Sequence, residues 1–473
     1  MNVTKIKDIN YKMLNSRLKV AGGVKNIRKT SGPYLVFLED EDSEIVCVTY
    51  DKPNFDVGDR IEIYGTLQVG YNGFQIRIEG YNVLEQGKTK VEFKGFLIQN
   101  PILEKLKPKF IEAASMIKDA VLKQRPIVVK HHNDADGYSG ALALEEAILG
   151  LISEKNNSFL EWNLFSRIPS TTPFYDYFDA TEDIASALSK ETRYGNAKPL
   201  LIIVDNGSTE SDEVGIKLVK AFGFQVIVLD HHIPIDNKDI DVHINPHLVG
   251  GDSNITAGML AVELAKIVNP NFKSYFYAGI SAIGDRSNIE DYFKLVDIPL
   301  STLKKMAVCI DFQAKFLRRM EARGLIQELL NLNNNHLDII FNEIEKRLKK
   351  QVALISMNLN KERLGNGINF LTLDYKKVRI FKDFPSIGNN AGLLINEFGD
   401  GNTVAVVYDE GIAVIRSTNP NFDFNDLLKK LEVSTQYGIR GGGHKHAGTI
   451  MFISVYTDEI LSKIKEYVSN LQA

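Results

Sequence analysis

The pattern of apolar and polar residues changes several times along the chain, and each stretch predicts a different kind of domain. Over residues 1 to about 100, short runs rich in β-branched and aromatic residues alternate with turns such as Val57-Gly58-Asp59. This alternation is typical of short strands joined by tight turns. The predicted strands are Leu18–Val24, Tyr34–Glu39, Glu44–Tyr50, Arg60–Leu67 and Phe74–Ile78.

Five short strands of this kind predict a small β-barrel of the OB type over residues 1–100. The strands carry aromatic residues among basic ones, and such a surface can stack bases and follow phosphates. These residues are Tyr34, Phe37, Tyr64, Tyr71 and Phe74 with Lys25, Arg28, Lys29 and Arg77. We expect any one of these aromatic side chains to lie in the barrel interior. We nevertheless expect the domain as a whole to bind nucleic acid.

From Pro126 onward, apolar runs of strand length alternate with segments of helical spacing. The strand-like runs are Ile127–Lys130, Leu200–Val204, Gln225–Leu229 and Ala278–Ile283, and the helical segments are Gly137–Leu151, Glu210–Phe222 and Ile255–Val268. This alternation predicts an α/β domain with a mostly parallel sheet covered on both faces. A Lys-rich helical linker, Leu103–Gln124, precedes it, and we place this second domain at residues 101–290.

Residues 291–355 change character again and predict a helical insertion. Leu303–Leu330 and Leu337–Leu354 have helical spacing and are separated by the polar run Asn331–Asn335. Basic residues outnumber acidic ones on these segments. A solvated helix face and a surface that guides a strand or binds a partner explain this charge equally well.

Strands return after residue 355, and residues 356–473 predict an α/β domain. The predicted strands are Phe370–Leu373, Val378–Phe381, Thr403–Tyr408, Ile412–Arg416 and Thr449–Ile453, with a helix opening at Asn389. A glycine-rich loop, Gly438–Gly448, precedes the last strand. Because glycine lets the backbone approach a ligand closely, this loop with its Arg440 and His444 predicts a phosphate-binding site.

Composition narrows the function without identifying it. The chain has 473 residues, a net charge of −4 and 44% hydrophobic residues, which is typical of a globular protein with local rather than global nucleic-acid-binding patches. Cys47 and Cys309 form no pattern of a disulfide scaffold or a zinc-thiolate site. The first residues contain no apolar signal core and no apolar run is long enough to span a membrane, so a cytoplasmic protein is expected.

Acidic and histidine residues follow the four apolar runs of the second domain. They are His132, Asp134, Asp136, Asp205, Asp230, His231, His232 and Asp285. Oxygen and nitrogen ligands without a thiolate suit Mn²⁺ or Mg²⁺, and the imidazoles favour Mn²⁺. Asp205 could bridge two ions, which is the arrangement that promotes in-line phosphoryl displacement. A histidine pair that merely caps a turn is the structural alternative for His231-His232.

These motifs closely resemble those of the DHH phosphoesterase superfamily, in particular archaeal RecJ-like exonucleases. The resemblance extends from about residue 126 to the end of the chain. It rests on His132-x-Asp134-x-Asp136-Gly137, Asp205-Asn206-Gly207, Asp230-His231-His232, Gly284-Asp285 and Gly441-Gly442-Gly443-His444. The last motif resembles the signature of the DHH-associated C-terminal domain.

The resemblance implies a role for each residue. One metal ion is expected on His132, Asp134 and Asp205, with Asp285 as a further candidate, and the second on Asp136, Asp205, His231 and Asp285. Asp230 is expected to lie behind the ligands, and His232 to act as an acid or a hydrogen-bond donor to the scissile phosphate. The substrate-phosphate residues implied are Arg416, Ser417, Arg440, Gly442, Gly443 and His444.

The function implied is a metal-dependent exonuclease that hydrolyses single-stranded DNA or RNA, with a role in DNA repair. We expect 3′→5′ digestion with RNA accepted, and a replication partner such as GINS is a further expectation. The alternatives are a phosphatase of short oligonucleotides or other small phosphorylated substrates, and a noncatalytic replication scaffold. Intact acidic motifs count against the scaffold, while the barrel and the basic insertion count against a small substrate.

Overall fold

The computed structural model describes residues 3–41, 43–71, 73–85, 91–155, 161–317, 324–380 and 384–471. The chain forms two compact units. The first comprises Met1–Ala307 and Arg318–Ala322, and the second comprises Val308–Leu317 and Arg323–Ala473. Among the described residues, no helix combines the length and the apolar character that a membrane crossing requires.

The first unit begins with the predicted barrel. Its strands are β1 (Arg17–Lys29), β2 (Tyr34–Glu39), β3 (Glu44–Thr49), β4 (Arg60–Gly70) and β5 (Gly73–Glu85). They close in the order β1-β2-β3-β5-β4, with β3 and β5 parallel and the other pairs antiparallel. This barrel confirms the five predicted strands and the OB-type architecture.

The barrel interior is aliphatic, which corrects the expectation that its aromatics fill it. Val20, Val36 and Ile61 are fully buried there, together with other aliphatic residues and Phe55. None of the five aromatics named from the sequence is fully buried: Phe74 packs against this core while partly buried, and Tyr71 is fully exposed. The physical reason is the alternation of the strands, since a small barrel has room inside only for the inward-facing residues of each strand.

The segment after the barrel belongs to the core of the next domain. Helix α1 (Pro101–Leu122) was predicted as a linker, but Leu103, Leu106 and Phe110 on one face of it are buried. Phe96, just before it, packs edge-on against Phe110 with ring centroids 5.1 Å apart. The Lys residues that suggested a linker lie on the opposite face, as in an amphipathic helix.

The following sheet is parallel and has the strand order β10-β9-β8-β6-β7. Its strands are β6 (Ile127–His131), β7 (Phe165–Pro169), β8 (Leu200–Val204), β9 (Gln225–Leu229) and β10 (Val242–Ile244). The helices of this region are α2 (Ala135–Lys155), α3 (Glu161–Leu164), α4 (Tyr177–Tyr194), α5 (Glu210–Ala221), α6 (Ala257–Val268), α7 (Phe276–Gly284) and α8 (Asp291–Lys294). Helix α9 (Leu300–Leu317) begins in the first unit and ends in the second. The α/β architecture is therefore as predicted.

One predicted strand of this domain is a helix. The run Ala278–Ile283 lies inside α7, where Ala278, Ile280 and Ala282 are fully buried. A short apolar run that is buried all round has no periodicity to separate helix from strand. Strands β7 and β10 and helix α4 were not predicted, because their few apolar residues are mixed with polar ones.

The second unit contains a six-stranded sheet in the order β11-β12-β13-β14-β16-β15. Its strands are β11 (Asn360–Arg363), β12 (Asn369–Asp374), β13 (Thr403–Asp409), β14 (Ile412–Ser417), β15 (Arg440–His444) and β16 (Ala447–Met451). The helices are α10 (Leu325–Leu330), α11 (His336–Asn358), α12 (Ile387–Leu393), α13 (Phe424–Glu432) and α14 (Thr457–Ser469). The C-terminal part of α11 joins this domain, since Ile355 packs in its core and Gln351 donates a hydrogen bond to Asn390.

Two predictions for this unit are wrong. Residues 378–380 of the predicted strand Val378–Phe381 form a turn and an irregular segment, because Val378 packs into the core at the end of a short helical turn, and Phe381 lies outside the described residues. The glycine-rich loop is an antiparallel hairpin, in which Gly443 pairs with Gly448. A Cβ atom at Gly443 would lie 2.2 Å from the Ala447 carbonyl oxygen, so these glycines also serve close strand packing.

Candidate metal centre

The acidic and histidine residues meet at the carboxyl edge of the parallel sheet. Strands β9, β8 and β6 are neighbours, and the residues that follow them are Asp230, Asp205 and His132. Because all three strands run in the same direction, their ends lie side by side. Ligands of open α/β sheets bind at such an edge.

A first group of side chains forms around His132. Its Nδ1 lies 2.6 Å from Asp134 Oδ2 and 3.2 Å from Asp205 Oδ2. Burial opposes protonation of this imidazole, yet the negative charges of Asp134 and Asp205 raise its pKa well above the usual value. His132 and Asp134 are half-buried and Asp205 is buried, so the group opens toward solvent on one side.

A second group forms around His231. Its Nε2 lies 3.0 Å from Asp285 Oδ2, 3.4 Å from Asp205 Oδ1 and 3.7 Å from Asp136 Oδ2. Burial again opposes protonation, while Asp205 and Asp285 raise the pKa of His231 well above the usual value. Asp205 belongs to both groups and offers one carboxylate oxygen to each.

The buried carboxylate of Asp136 is held at the start of α6. It accepts hydrogen bonds from the backbone N–H groups of Ala257 at 3.1 Å and Gly258 at 2.8 Å, and from the Ser281 hydroxyl at 2.5 Å. The positive end of a helix stabilises a carboxylate there. A Cβ atom at Gly258 would lie 2.7 Å from Asp136 Oδ1, so only glycine leaves room for this contact.

Asp205 takes a left-handed backbone conformation, with φ of +59°. Its N–H still donates to the Leu229 carbonyl at 2.8 Å, so the chain turns sharply just after leaving the sheet. Aspartate tolerates this region better than most residues. The turn lies where both groups of the centre meet.

The two histidines after β9 are each held in a fixed orientation. His231 Nδ1 lies 2.9 Å from the Ser253 carbonyl and donates to it, which leaves Nε2 as the nitrogen that can bind a metal. His232 Nδ1 lies 2.7 Å from Asp230 Oδ1. Asp230 also accepts from the backbone N–H groups of His231 and Ser208, so its oxygens are engaged in orienting this loop. Despite burial, Asp230 raises the pKa of His232.

The carboxylates of the centre destabilise one another. Burial, together with the negative charges of Asp205 and Asp285, raises the pKa of Asp136 well above its usual range. Burial and the charge of Asp134 also raise the pKa of Asp205. A cation among these carboxylates would offset both burial and repulsion. The donor set of carboxylates and imidazoles therefore fits hard or borderline divalent ions.

The predicted phosphate-binding residues lie in the second unit. Arg416 on β14 pairs with Ala447 on β16, and Ala447 pairs with His444 on β15, so these backbone positions form one row across the sheet. The side chain of His444 lies outside the described residues. Ser417 is engaged locally, since its hydroxyl donates to the Thr403 carbonyl at 3.2 Å. Gly442 and Gly443 lie on the edge strand β15, and Arg440 at its start is exposed.

Sequence reasoning missed the residues that hold the ligands in place. They are Ser208, Asn245, Ser253 and Ser281. Asn245, for example, donates to the His232 carbonyl at 2.8 Å and to the Ser208 hydroxyl at 3.0 Å. These residues belong to no recognisable motif, and the short strand β10 that precedes Asn245 was itself not predicted.

Comparison with known families matches both domains of the first unit. A model of the DHH family, N-terminal domain, matches residues 126–284, a range that contains the centre except for Asp285. A model of the OB-fold nucleic acid binding domain matches residues 18–84, the region of the barrel.

Comparison with whole proteins finds relatives that share more than 30% identity with this chain. The uncharacterized protein MJ1198 of Methanocaldococcus jannaschii is 31% identical over 544 aligned residues, covering 99% of this chain and 71% of the relative. A solved structure of the DHH domain of a member of the s1p family of ribosomal proteins is 34% identical, has a TM-score of 0.76, and covers 80% of this chain and 94% of that one. RecJ from Thermus thermophilus, solved with Mn²⁺, is 15% identical with a TM-score of 0.56 over 81% of this chain and 56% of that one, a likeness of fold alone.

Proposed function

The chain belongs to the DHH family, and from that premise we propose that it is a RecJ-like, metal-dependent exonuclease of single-stranded nucleic acid. The observation that carries the proposal is the shared ligand Asp205, whose two oxygens face two separate groups of carboxylates and imidazoles. A carboxylate shared in this way can hold two ions close together, and two-metal hydrolysis of phosphodiesters uses ions about 3.5–4 Å apart. Family membership and this centre support a phosphoesterase, and the polarity and substrate are part of the proposal.

The proposed ligands follow the two observed groups. His132, Asp134 and Asp205 would hold one ion, with Asp285 as a further candidate, and Asp136, Asp205, His231 and Asp285 the other. Divalent ions held there, Mn²⁺ in preference to Mg²⁺, would supply Lewis-acid stabilisation of the phosphoryl oxygens and activate the attacking water.

The remaining groups of the centre act on the substrate directly. His232 is half-buried, and because its Nδ1 is held by Asp230, its Nε2 can donate a hydrogen bond or a proton to the scissile phosphate. The negative charge of Asp230 raises the pKa of His232 despite its burial, which favours the protonated ring. In the second unit, Arg416, Ser417, Arg440, Gly442, Gly443 and His444 would bind phosphates of the substrate.

The barrel supports a polymeric substrate over a small one. Its surface carries exposed Tyr11, Tyr50 and Tyr71, and Lys29 lies over the Tyr34 ring at 4.2 Å. Aromatic and basic side chains in this arrangement suit stacking on bases and contact with phosphates. We propose that the strand is digested 3′→5′ and that RNA is accepted alongside DNA. Contact with a replication partner such as GINS is a further proposal, which rests on the resemblance alone.

One digestion experiment tests this function. Single strands of DNA and RNA, labelled at the 5′ or the 3′ end, are incubated with Mn²⁺, with Mg²⁺ or with excess chelator, alongside a labelled dinucleotide. Stepwise shortening of a 5′-labelled strand with metal, and none with chelator, is expected. Turnover of the dinucleotide alone would favour the small-substrate phosphatase, and no turnover of either would favour the scaffold. Full activity in chelator would refute the metal mechanism.

A further inference from the structure

The residue just before the proposed ligand His132 is also a histidine, and it has no role so far. His131 ends β6 and is completely buried. Its ring packs edge-on against Tyr138 of α2, with centroids 4.5 Å apart. Its other neighbour is Arg167 of β7, whose side chain is also completely buried.

The contacts of His131 determine which ring nitrogen carries the hydrogen. Arg167 Nη1 lies 3.3 Å from Nε2 of His131, and a guanidinium can only donate, so Nε2 accepts. The hydrogen is therefore on Nδ1, which lies 2.7 Å from the His132 carbonyl oxygen and donates to it. The charge on Arg167 thus fixes a hydrogen bond to the backbone of the proposed ligand.

Arg167 is itself held rigidly. Its Nε donates to Glu145 Oε2 at 2.5 Å, and its guanidinium carbon lies 5.5 Å from the centre of the Tyr138 ring. A buried ion pair costs desolvation free energy and is weak evidence for stability by itself. Packing alone therefore does not explain why Arg167 and Glu145 are buried here. Fixing the loop that begins at His132 would explain it.

The His132 peptide is confined from other sides as well. The N–H of His132 donates to the Val204 carbonyl at 3.1 Å. A Cβ atom at Gly137 would lie 2.3 Å from the His132 carbonyl oxygen, so the following turn closes tightly over that oxygen. The His131 ring and the Gly137 backbone therefore both bound the carbonyl, and the imidazole of His132 is left to face Asp134 and Asp205.

We propose that Arg167 and His131 are positioning residues that hold His132 in the orientation required to bind the first metal ion. The inference rests on the proposed function, because it needs a metal on His132. It predicts that disturbing His131 weakens one of two bound ions and leaves the other unchanged. Residues that orient a ligand typically contribute 10- to 100-fold in metal affinity.

The test compares two substitutions that separate the two ring nitrogens. The amide of His131→Asn can take the place of Nδ1 and donate to the His132 carbonyl, whereas the amide of His131→Gln reaches the place of Nε2. Val129→Ala is the matched control, because Val129 is completely buried, lies two residues before His131 on the same strand, and has no hydrogen-bonding side-chain atom. Arg167→Lys, which keeps the charge but offers a shorter donor, is a second variant should His131→Gln fail to fold.

Binding is measured on the full chain by titration with Mn²⁺ followed by electron paramagnetic resonance, without substrate, and each variant is also melted in chelator. We expect His131→Gln or Arg167→Lys to weaken one ion about 10- to 100-fold, and His131→Asn and Val129→Ala to keep both affinities within a few-fold. Wild-type affinity in both His131→Gln and Arg167→Lys would overturn the inference, as would an equal loss in Val129→Ala. If the wild-type chain bound no Mn²⁺, the proposed function itself would fall, and the two failures are thereby distinguished.

Discussion

The substitution Glu263→Gln should remove one contribution to the pH dependence of the stability of the first unit, namely the ionisation of a buried carboxyl group. Glu263 lies on α6 and is almost completely buried. Its Oε2 accepts from the Leu97 N–H at 2.9 Å, and its Oε1 accepts from the Tyr292 hydroxyl at 2.9 Å. Burial raises its pKa from 4.5 to about 7. The segment before α1 and helix α8 are thus both attached to α6 through one carboxyl group.

The size and the sign of the effect follow from this pKa. Between pH 4.5 and about 7 the folded chain holds a proton on Glu263 that the unfolded chain has lost. The free energy of unfolding therefore falls as the pH rises through this range, by about 3 kcal/mol in total, and is level above it. Glutamine does not titrate, still accepts from Leu97, and can donate to the Tyr292 hydroxyl oxygen. Glu263→Gln should therefore match the wild type at pH 4.5 and exceed it by up to about 3 kcal/mol at pH 8.5.

The assay is urea unfolding at several pH values between 4.5 and 8.5. It is followed by the fluorescence of Trp162, the only tryptophan of the chain, which lies in α3 of the same unit. Glu104→Gln, an exposed position on α1, controls for the loss of one negative charge. A stability difference between Glu263→Gln and the wild type that stays constant with pH would refute the reasoning. So would a variant that is less stable than the wild type at pH 8.5.

Three further predictions concern the metal centre, the second unit and the barrel. Asp205→Ala should lower kcat by two or more orders of magnitude, on the order of the 10²–10³-fold lost with a single electrostatic contact, with an unchanged circular dichroism spectrum; near-normal turnover would disprove the bridging role. Arg416→Ala and His444→Ala should each weaken substrate binding by about 1.5–3 kcal/mol and raise KM more than they lower kcat. A fall in kcat at constant KM would contradict their assignment as phosphate-binding residues. Deleting residues 1–90, and so keeping residues 91–98 that pack on the catalytic domain, should leave the hydrolysis of short oligonucleotides unchanged. It should lower the binding affinity for long strands and make that affinity less sensitive to salt. Identical salt dependence of binding in the full chain and the truncated chain would show that the barrel does not hold the strand.

The apolar runs allowed the ends of two strands to be predicted from the sequence. Leu200–Val204 is buried throughout, and Gln225–Leu229 is buried after its first residue. The ends of both strands, and the polar residues Asp205 and Asp230 that follow them, were therefore evident. Parallel strands then bring those followers to one edge without further information. The candidate ligands were predictable for this reason, although their assignment to particular ions stays a prediction.

The supporting contacts were not predictable because they join residues far apart in sequence. Ser281 reaches Asp136 across 145 positions, and no local pattern distinguishes it from other buried serines. The helix α7 that carries it was misread as a strand, since an apolar run buried on every side has no period. The hairpin at Gly441 and Gly448 was misread as a loop, because glycines that allow strands to pack closely look the same in sequence as glycines that cradle a phosphate.

The distribution of the centre along the chain has a consequence for how the protein is made. The acidic and histidine groups span His132 to Asp285, and the backbone N–H groups that hold Asp136 belong to Ala257 and Gly258. A nascent chain that ends before Asp285 therefore lacks a side chain of the centre, however well its sheet has formed. The proposed nuclease activity would therefore be absent at the ribosome, where the messenger RNA lies close by, until most of the catalytic domain has been synthesised.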